Sequence, residues 1–515
     1  MRRRIGIDVG GTNTDAVLLE DDRVLHAIKT PTTADVLSGV RGALQDVAGA
    51  MGPQGVQAVM IGTTHFVNAV VQRRDLAPVG AIRIGLPASK SLLPFCDWPE
   101  DLAALVRGQV HMIEGGLDYD GRPIMPLDES AVAAAGRAMQ AAGISCVAIS
   151  SIFSPLDPGM EDRAAEILRT EMPGVAITLS HDLGRIGLLE RENVALLNAC
   201  LAPLAQHTVR AFEEALQQAG IAAPLFITQN DGTVIRAELA ARFPVLSFAS
   251  GPTNSMRGAA FLTGLRDAIV VDVGGTTSDI GALKGGFPRE ANAVVQVGGV
   301  RTLFRMPDLL SIGLGGGSHV VADEAGRIRI GPRSVGFRLP ELARIFGGPQ
   351  LTTSDIAVRA GLLELGDVGR IAEVTTHFAR AALAEAARML EESVDRMKAD
   401  ASEVPLLAVG GGAFLVPDSL PGVSEVLRPA HAAVANAVGA AIAQVSGETD
   451  QVFQGMSRHE AMAEAERIAR TRAVEAGADG ATLALVDIED LPIAYLPGGA
   501  IRVRARVVGE IAAAE

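Results

Sequence analysis

The stretch IDVGGTNTDAVLL at 7–19 ends an apolar run on an acid, adds two glycines, and then sets hydroxyls and a second acid close by. It returns as VDVGGTTSDIGAL at 271–283, keeping the first acid, the valine, both glycines, the threonine, the second acid and the last leucine. Glycine has no Cβ, so a chain can turn tightly there and bring its N–H groups up to anionic oxygens. The hydroxyls of Thr12, Thr14, Thr276 and Ser278 can add donors. A carboxylate beside phosphates is repulsive unless it holds Mg2+ or water in between, so Asp8 and Asp272 imply a cation. One DVGGT could be an ordinary turn. Two copies, each opening a strand meander, predict two related halves that grip one nucleotide.

Other nucleotide motifs fit less well. No GxxxxGK[ST] loop occurs, and GLGGGS at 313–318 lacks the last small residue of a dinucleotide fingerprint and a clear strand before it.

The elements that must position the motifs alternate between strand and helix. RRIGIDV, AVLLE and RVLHAIK read as an antiparallel meander turned at Asp21-Asp22. DVLSGVRGALQDVAGAM has helical spacing and stops at Gly52-Pro53, and VQAVMIG reads as a buried strand running into a helix at TTHFVNAVVQR. Pro87, Pro94, Pro99, Pro123, Pro126 and the loop GGLDYDGRP then break the pattern, which predicts an insertion around 85–128. A helix at ESAVAAAGRAMQAAG, a strand at SCVAISSIF, a long helix from Leu188 to Gln218 and a strand at PLFITQN follow. The second half repeats the meander at AIVVDVGGTTSDIGAL, is helix-rich over 367–399, and returns to strand and turn at LLAVGGGAF. After about residue 446 come a helix, HEAMAEAERIARTRAVEAG, and the strands TLALVDI and IRVRARVV. The expectation is an α/β chain in three parts: 1–183 with its insertion, 184–445, and a small α+β appendix at 446–515.

At 515 residues there is room for about three domains of roughly 100–200 residues each. A net charge of −15 argues against a broad surface for nucleic acid or an anionic membrane, so any anion is handled locally. With only 3% aromatic residues, helices should pack closely through small side chains. Cys96, Cys146 and Cys200 show no CxxC spacing and read as core residues in a reducing compartment. MRRR runs straight into a strand without the apolar stretch of a secretory leader, and no long apolar run follows. The expected location is therefore cytoplasmic, without membrane or nucleic-acid partners.

These residues resemble a superfamily of two ribonuclease-H-like halves facing a nucleotide cleft, the actin-like ATPase fold of actin, sugar kinases and Hsp70 chaperones. Within it the chain is similar to the hydantoinase/oxoprolinase family, of the hydantoinase A type, in a short form. The matching pieces are the twin motif, GTTHFVNAVVQR (62–73), GLLERENVALLNACLAP (187–203), TQNDGT (228–233), SGPTNSMRGA (250–259), SIGLGGGS (311–318) and LTTSDIAVRAG (351–361). The chain departs from longer members where GPRSVG runs into FRLPELARIFGG instead of a PGPACYG-like stretch, and its C-terminal region is short.

The resemblance implies an ATP-dependent hydrolase, with Mg2+, acting on a cyclic amide such as 5-oxoproline, a hydantoin or a lactam. Phosphate transferred to the amide oxygen would turn a reluctant carbonyl into an imidate open to water, so positioning and charge neutralisation carry the catalysis. It places Asp8, Gly10, Gly11, Thr12 and Thr14 in the first phosphate hairpin, and Asp272, Gly274, Gly275, Thr276 and Thr277 in the second. Asp8 and Asp272 would serve catalysis and hold the metal. Gly410, Gly411 and Gly412 would lie near adenosine, and Gly315, Gly316 and Ser318 by the nucleotide or the reacting group. Thr63, Thr64 and Asn68, at a strand-to-helix junction, and Arg191 and Asn193 are candidates for the substrate. Arg191, Glu192 and Asn193 read equally well as an ion-paired helix face, and His65 as an acid, a base or a structural hydrogen-bonder. A second polypeptide or a homo-oligomer is expected. Two other activities suit the same fold: a small-molecule kinase that leaves its phosphate on a hydroxyl, and a nucleotide-dependent regulatory ATPase.

Overall fold

The computed structural model describes the chain except for residues 1, 11–12, 32–35, 52–54, 185, 292–294, 304–305, 325, 495–498 and 513–515. Its first strand, Arg3–Val9, is buried from Ile5 to Val9 because strands pair with it on both sides. Asn13–Glu20 folds back antiparallel, Arg23–Pro31 follows antiparallel again, and Ala58–Thr63 and then Leu225–Thr228 run parallel on the far side. The helix Val36–Met51 covers one face with Val40, Ala43, Leu44 and Val47, the spacing of a single helical stripe.

The second half repeats this design. Its sheet runs Leu309–Ile312, Ser278–Lys284, Ala268–Val273, Val404–Val409, Val423–Leu427, with the same order of antiparallel and parallel pairings. The repeated motif therefore sits at the same turn of two ribonuclease-H-like units, each with its own core. Two helices lie between the sheets. Ala435–Ala441 packs on the first sheet, and Ser250–Thr263 packs on the second and also against Ala58–Thr63. Gly258 and Gly439 let them touch backbone to backbone: a Cβ on either would stand 1.8 Å from a carbonyl oxygen of the other helix.

The segment expected to be an irregular insertion at 85–128 belongs to a larger regular unit. Val79–Leu86, Arg107–Glu114, Cys146–Ser151 and Ala176–Leu179 form a parallel four-stranded sheet. Glu129–Ala141 and Gly159–Glu171 share its core on one face, while Leu188–Gln218 packs on the other. Val79–Leu86 is buried along nearly its whole length and so lacks the in-out alternation that marks a strand in sequence, while Cys146–Ser151 stands within the strand expected at SCVAISSIF.

The C-terminal helix and strands are present, but their strands extend the first sheet. Val445–Phe453 pairs with Val234–Arg236, Ile501–Gly509 pairs with Val445–Phe453, and Ala484–Pro492 forms the edge of nine strands. The helix Arg458–Glu475 adds Ala461, Ala465, Ala469 and Ala473 to the core that contains Ile5 and Ile7. Among the described residues no helix is long and apolar enough to cross a membrane.

Candidate functional site

Strand register builds the site. In the first sheet Gly62 lies opposite Asp8, Asp8 opposite Asp15, and Asp15 opposite Lys29. Residues directly opposite share a face, so these side chains form one row. The second sheet has a matching row, with Asp272 opposite Asp279 and Asp279 opposite Ser311. The rows differ at their ends: Lys29 Nζ stands 2.7 Å from Asp15 Oδ2, whereas Ser311 Oγ donates to Asp279 Oδ1.

The helices between the sheets tie the rows together. Asn254 Nδ2 donates to Asp8 Oδ1 at 3.2 Å, and its neighbour Ser255 donates through Oγ to Asp272 Oδ2. Asn436 Nδ2 bridges Asp8 Oδ2 at 3.0 Å and Asp15 Oδ2 at 2.9 Å. Gly62 is required here, because a Cβ would meet Asn254 Nδ2 at 2.3 Å and Asp8 Oδ1 at 2.5 Å.

Burial pushes Asp8 up to about 6; Asn254 and Asn436 oppose the shift, and the charges of Asp15 and Asp272 add to it. Burial pushes Asp279 up to about 6 as well, against Ser311 and with help from Asp272. Asp272 is raised by burial and eased by Ser255 and Lys29, and Asp15 is raised by burial and eased by Lys29. Four carboxyls thus share a low-dielectric cleft in which Lys29 is the cation that acts on Asp15 and Asp272. Hard oxygen donors short of positive charge suit Mg2+. That ion typically takes one or two carboxylates and completes its shell with water and phosphate. Among the described residues no group of three or more His, Cys, Asp or Glu is placed to hold a metal by itself.

Both hairpins close in the same way: Gly10 N donates to Asn13 O at 3.0 Å and Gly274 N to Thr277 O at 2.9 Å. Gly11 and Thr12 lie outside the described residues. The carbonyls of the second hairpin are taken by neighbouring loops. Gly316 N reaches Gly274 O at 3.0 Å, Gly317 N reaches Gly275 O at 2.7 Å, and Gly412 N reaches Val273 O at 2.7 Å. Among the described residues, no acceptor meets the N–H groups of Gly275, Thr276 and Thr277. Gly315 crosses so closely that a Cβ would lie 2.6 Å from Thr276 N. Gly410 has φ +86° and leaves no room for a Cβ, which would fall 2.2 Å from Asp272 Oδ1. Gly411 faces Lys29, whose Cε lies 3.9 Å from where its Cβ would be.

Other expected residues sit around or away from this cleft. Thr14 is fully buried, its Oγ1 turned toward Gly39 of the covering helix. Ser318 Oγ accepts from Gly315 N at 2.9 Å and donates to Gly313 O at 3.1 Å, closing its own loop. Thr63 is buried and bonded to Ser250, while Thr64 accepts from Asn68 Nδ2 at 3.1 Å. Bare Gly251 separates Thr64 from Asp8: a Cβ there would lie 3.4 Å from Thr64 Cγ2 and 3.9 Å from Asp8 Oδ2. His65 is pushed down by burial, and the charged groups that act on it are Asp75 and His207, not the hairpin acids.

Arg191 and Asn193 are buried where the long helix meets the four-stranded sheet. Arg191 donates to Ser180 Oγ at 2.9 Å and to Ile186 O at 2.8 Å, and Asn193 accepts from Trp98 Nε1 at 2.7 Å. Between them Glu192 pairs with the fully buried Arg83. The structure does not bring this group together with the hairpins. It brings in Lys29, Asn254, Ser255, Ser311 and Asn436 instead, residues that the motifs did not single out. Asn254 and Ser255 were within reach, inside SGPTNSMRGA.

Comparison with known proteins agrees with this architecture. The model of the hydantoinase/oxoprolinase N-terminal region matches residues 4–172, and the hydantoinase/oxoprolinase model matches residues 191–368. The alpha subunit of caprolactamase from Pseudomonas jessenii is 27% identical over 388 residues, 70% of this chain and 55% of that protein. The gamma subunit of acetophenone carboxylase from Aromatoleum aromaticum is 28% identical over 393 residues, 70% of this chain and 53% of that protein. The chain thus spans about half the length of these curated relatives. Among solved structures, ATP-dependent caprolactamase from P. jessenii superposes with a TM-score of 0.76 at 21% identity, covering 99% of this chain and 88% of that one. Nucleotide-free acetone carboxylase gives 0.71 at 18% identity with the same coverage, and both share the fold. With its two family regions filling most of the span from the first hairpin strand to the loops behind the second hairpin, the chain belongs to the hydantoinase/oxoprolinase family.

Proposed function

We propose that the chain is the ATP-dependent component of an enzyme that opens a cyclic amide by transferring phosphate to its carbonyl oxygen. The observation that carries this is the pair of motif acids, Asp8 and Asp272, held by consecutive residues of one helix beside a hairpin whose Gly275, Thr276 and Thr277 N–H groups meet no acceptor among the described residues. Such N–H groups bind anionic oxygens well. The second hairpin, with Gly274, Gly275, Thr276 and Thr277, cradles the phosphates, and Gly10 with its neighbours does so from the first lobe.

Asp8 and Asp272 would hold Mg2+, which screens phosphate charge when bound. Asn254, Ser255 and Asn436 keep the two carboxyls aimed at the cleft. Thr64, across Gly251 from Asp8, and Asn68, which donates to Thr64, are the residues proposed to meet the substrate. In the reaction the amide oxygen forms a bond to the γ-phosphorus as the bond to ADP breaks. Water then adds to the activated carbon, and the C–N bond breaks as its nitrogen takes up a proton, so that the ring opens to an amine and an acyl phosphate. A second water hydrolyses the acyl phosphate to the acid and free phosphate. The relatives are named as subunits, which supports a second polypeptide completing the site.

The test incubates the chain, alone and with a co-expressed partner, with Mg·ATP and 5-oxoproline, hydantoin or caprolactam. ADP, phosphate and ring-opened product should form together. Lack of any nucleotide binding sinks the proposal. One observation favours a second reading: the carboxylase relative is as similar to this chain as the lactamase relative. A ketone also presents an oxygen for phosphorylation, and turnover with acetophenone and bicarbonate but no lactam would select that reading.

A further inference from the structure

We infer that Lys29 is a phosphate ligand of the nucleotide site, parked on Asp15 until a polyphosphate arrives. This rests on the reading of the cleft as an ATP site and names a residue that the hairpin motif does not contain.

Four observations converge on it. Lys29 ends the row Asp8, Asp15, Lys29, while the equivalent row of the second lobe ends in neutral Ser311, so the pseudo-symmetric cleft carries its cation on one side. Its Nζ contacts both carboxylate oxygens of Asp15, at 2.6 and 2.7 Å, yet the side chain stays 30% exposed. It is therefore held but not walled in. It also reaches the opposite lobe: its stem approaches Gly411, and its charge acts on Asp272. Finally, Asp15 does not depend on the lysine alone, because Asn436 Nδ2 donates to Asp15 Oδ2 at 2.9 Å. A lysine on a flexible stem can swing from a carboxylate to a phosphate whose charge is larger, and Asn436 keeps Asp15 partnered when it does.

The test is calorimetric binding of ATP, ADP and adenosine to the full chain with Mg2+. The wild type should prefer the phosphorylated ligands. Lys29→Met should weaken ATP about 10- to 100-fold, the loss of one charge-assisted contact, and leave adenosine unchanged. Lys29→Arg should recover most of the loss. Because Lys29→Met leaves Asp15 without its cation, the double variant Lys29→Met/Asp15→Asn checks against a folding artefact and should show the same selective loss. Unchanged ATP affinity in Lys29→Met, or an equal loss for adenosine, overturns the assignment and leaves the ATP reading standing. A wild type that binds none of the three removes both.

Discussion

Asn254 and Ser255 are neighbours on the helix Ser250–Thr263, yet they serve different lobes: Asn254 donates to Asp8 and Ser255 to Asp272. Successive helical residues point about 100° apart, so one turn of helix inserted between two sheets can hold a carboxyl on each side. Both acids thereby accept a hydrogen bond from one element, and Asn436 of the neighbouring helix adds a second bond to Asp8.

Removing one donor should show as both stability and titration. Asn254 favours the ionised form of Asp8, so Asn254→Ala is expected to raise the Asp8 pKa further and to destabilise the chain by about 1–3 kcal/mol. Urea melts measure the second effect. The first shifts the pH midpoint of Mg·ATP binding upward, and an unchanged midpoint would contradict the assigned bond.

Asp8 itself gives a signed pH dependence. Its folded pKa of about 6 lies above the ordinary carboxyl value, so between roughly pH 4 and 6 the native state keeps a proton that the unfolded chain has released. Stability from this group therefore falls as pH rises through that window, by up to about 3 kcal/mol at completion. Asp8→Asn removes the term. The stability difference between Asp8→Asn and wild type, measured without metal, should widen in favour of the variant from pH 4 to 7. Mg·ATP should bind wild type better above pH 6 than below it, since a cation competes with the proton.

The repeat was legible because each hairpin carries its signal within a dozen residues: apolar strand, acid, glycines, acid. From it followed two lobes and their motif acids. Lys29 was hidden by register. The pairing of Asn13–Glu20 with Arg23–Pro31 shifts between Leu18 and Leu19, and without that bulge Asp15 would face Ile28 and Lys29 would turn to the other side. Asn436 was hidden by distance, since no local pattern links it to acids at the opposite end of the chain. The Arg191, Glu192 and Asn193 group carried two readings in sequence for a different reason. A buried ion-paired cluster and a ligand site draw on the same residue types, and only burial and partners separate them.

Helix contact sets a third prediction. Gly258→Ala would place a Cβ 1.8 Å from Ala435 O, a backbone atom that cannot swing aside, so the two helices must part. Overpacking of this kind costs about 1–3 kcal/mol or more, and nucleotide affinity should fall with it because Asn254, Ser255 and Asn436 ride on these helices. Gly42 is the control. It lies exposed in the helix Val36–Met51, and a Cβ would meet nothing within 4 Å. Gly42→Ala should stabilise by about 0.5–1 kcal/mol in the same melts.

Arg191 provides the sharpest contrast between structure and site. Burial alone would raise Glu161, but His181 and Arg191 outweigh it and hold that carboxyl below its usual value. Arg191→Ala leaves Glu161 buried with less positive charge beside it and strips Ser180 and Ile186 of a donor. Breaking one partner of a buried charge cluster costs about 3–5 kcal/mol. The expected phenotype is a large drop in melting temperature, while the protein that remains folded binds ATP and cyclic amide with wild-type affinity. A variant that melts normally but loses the amide alone would return Arg191 to the substrate site.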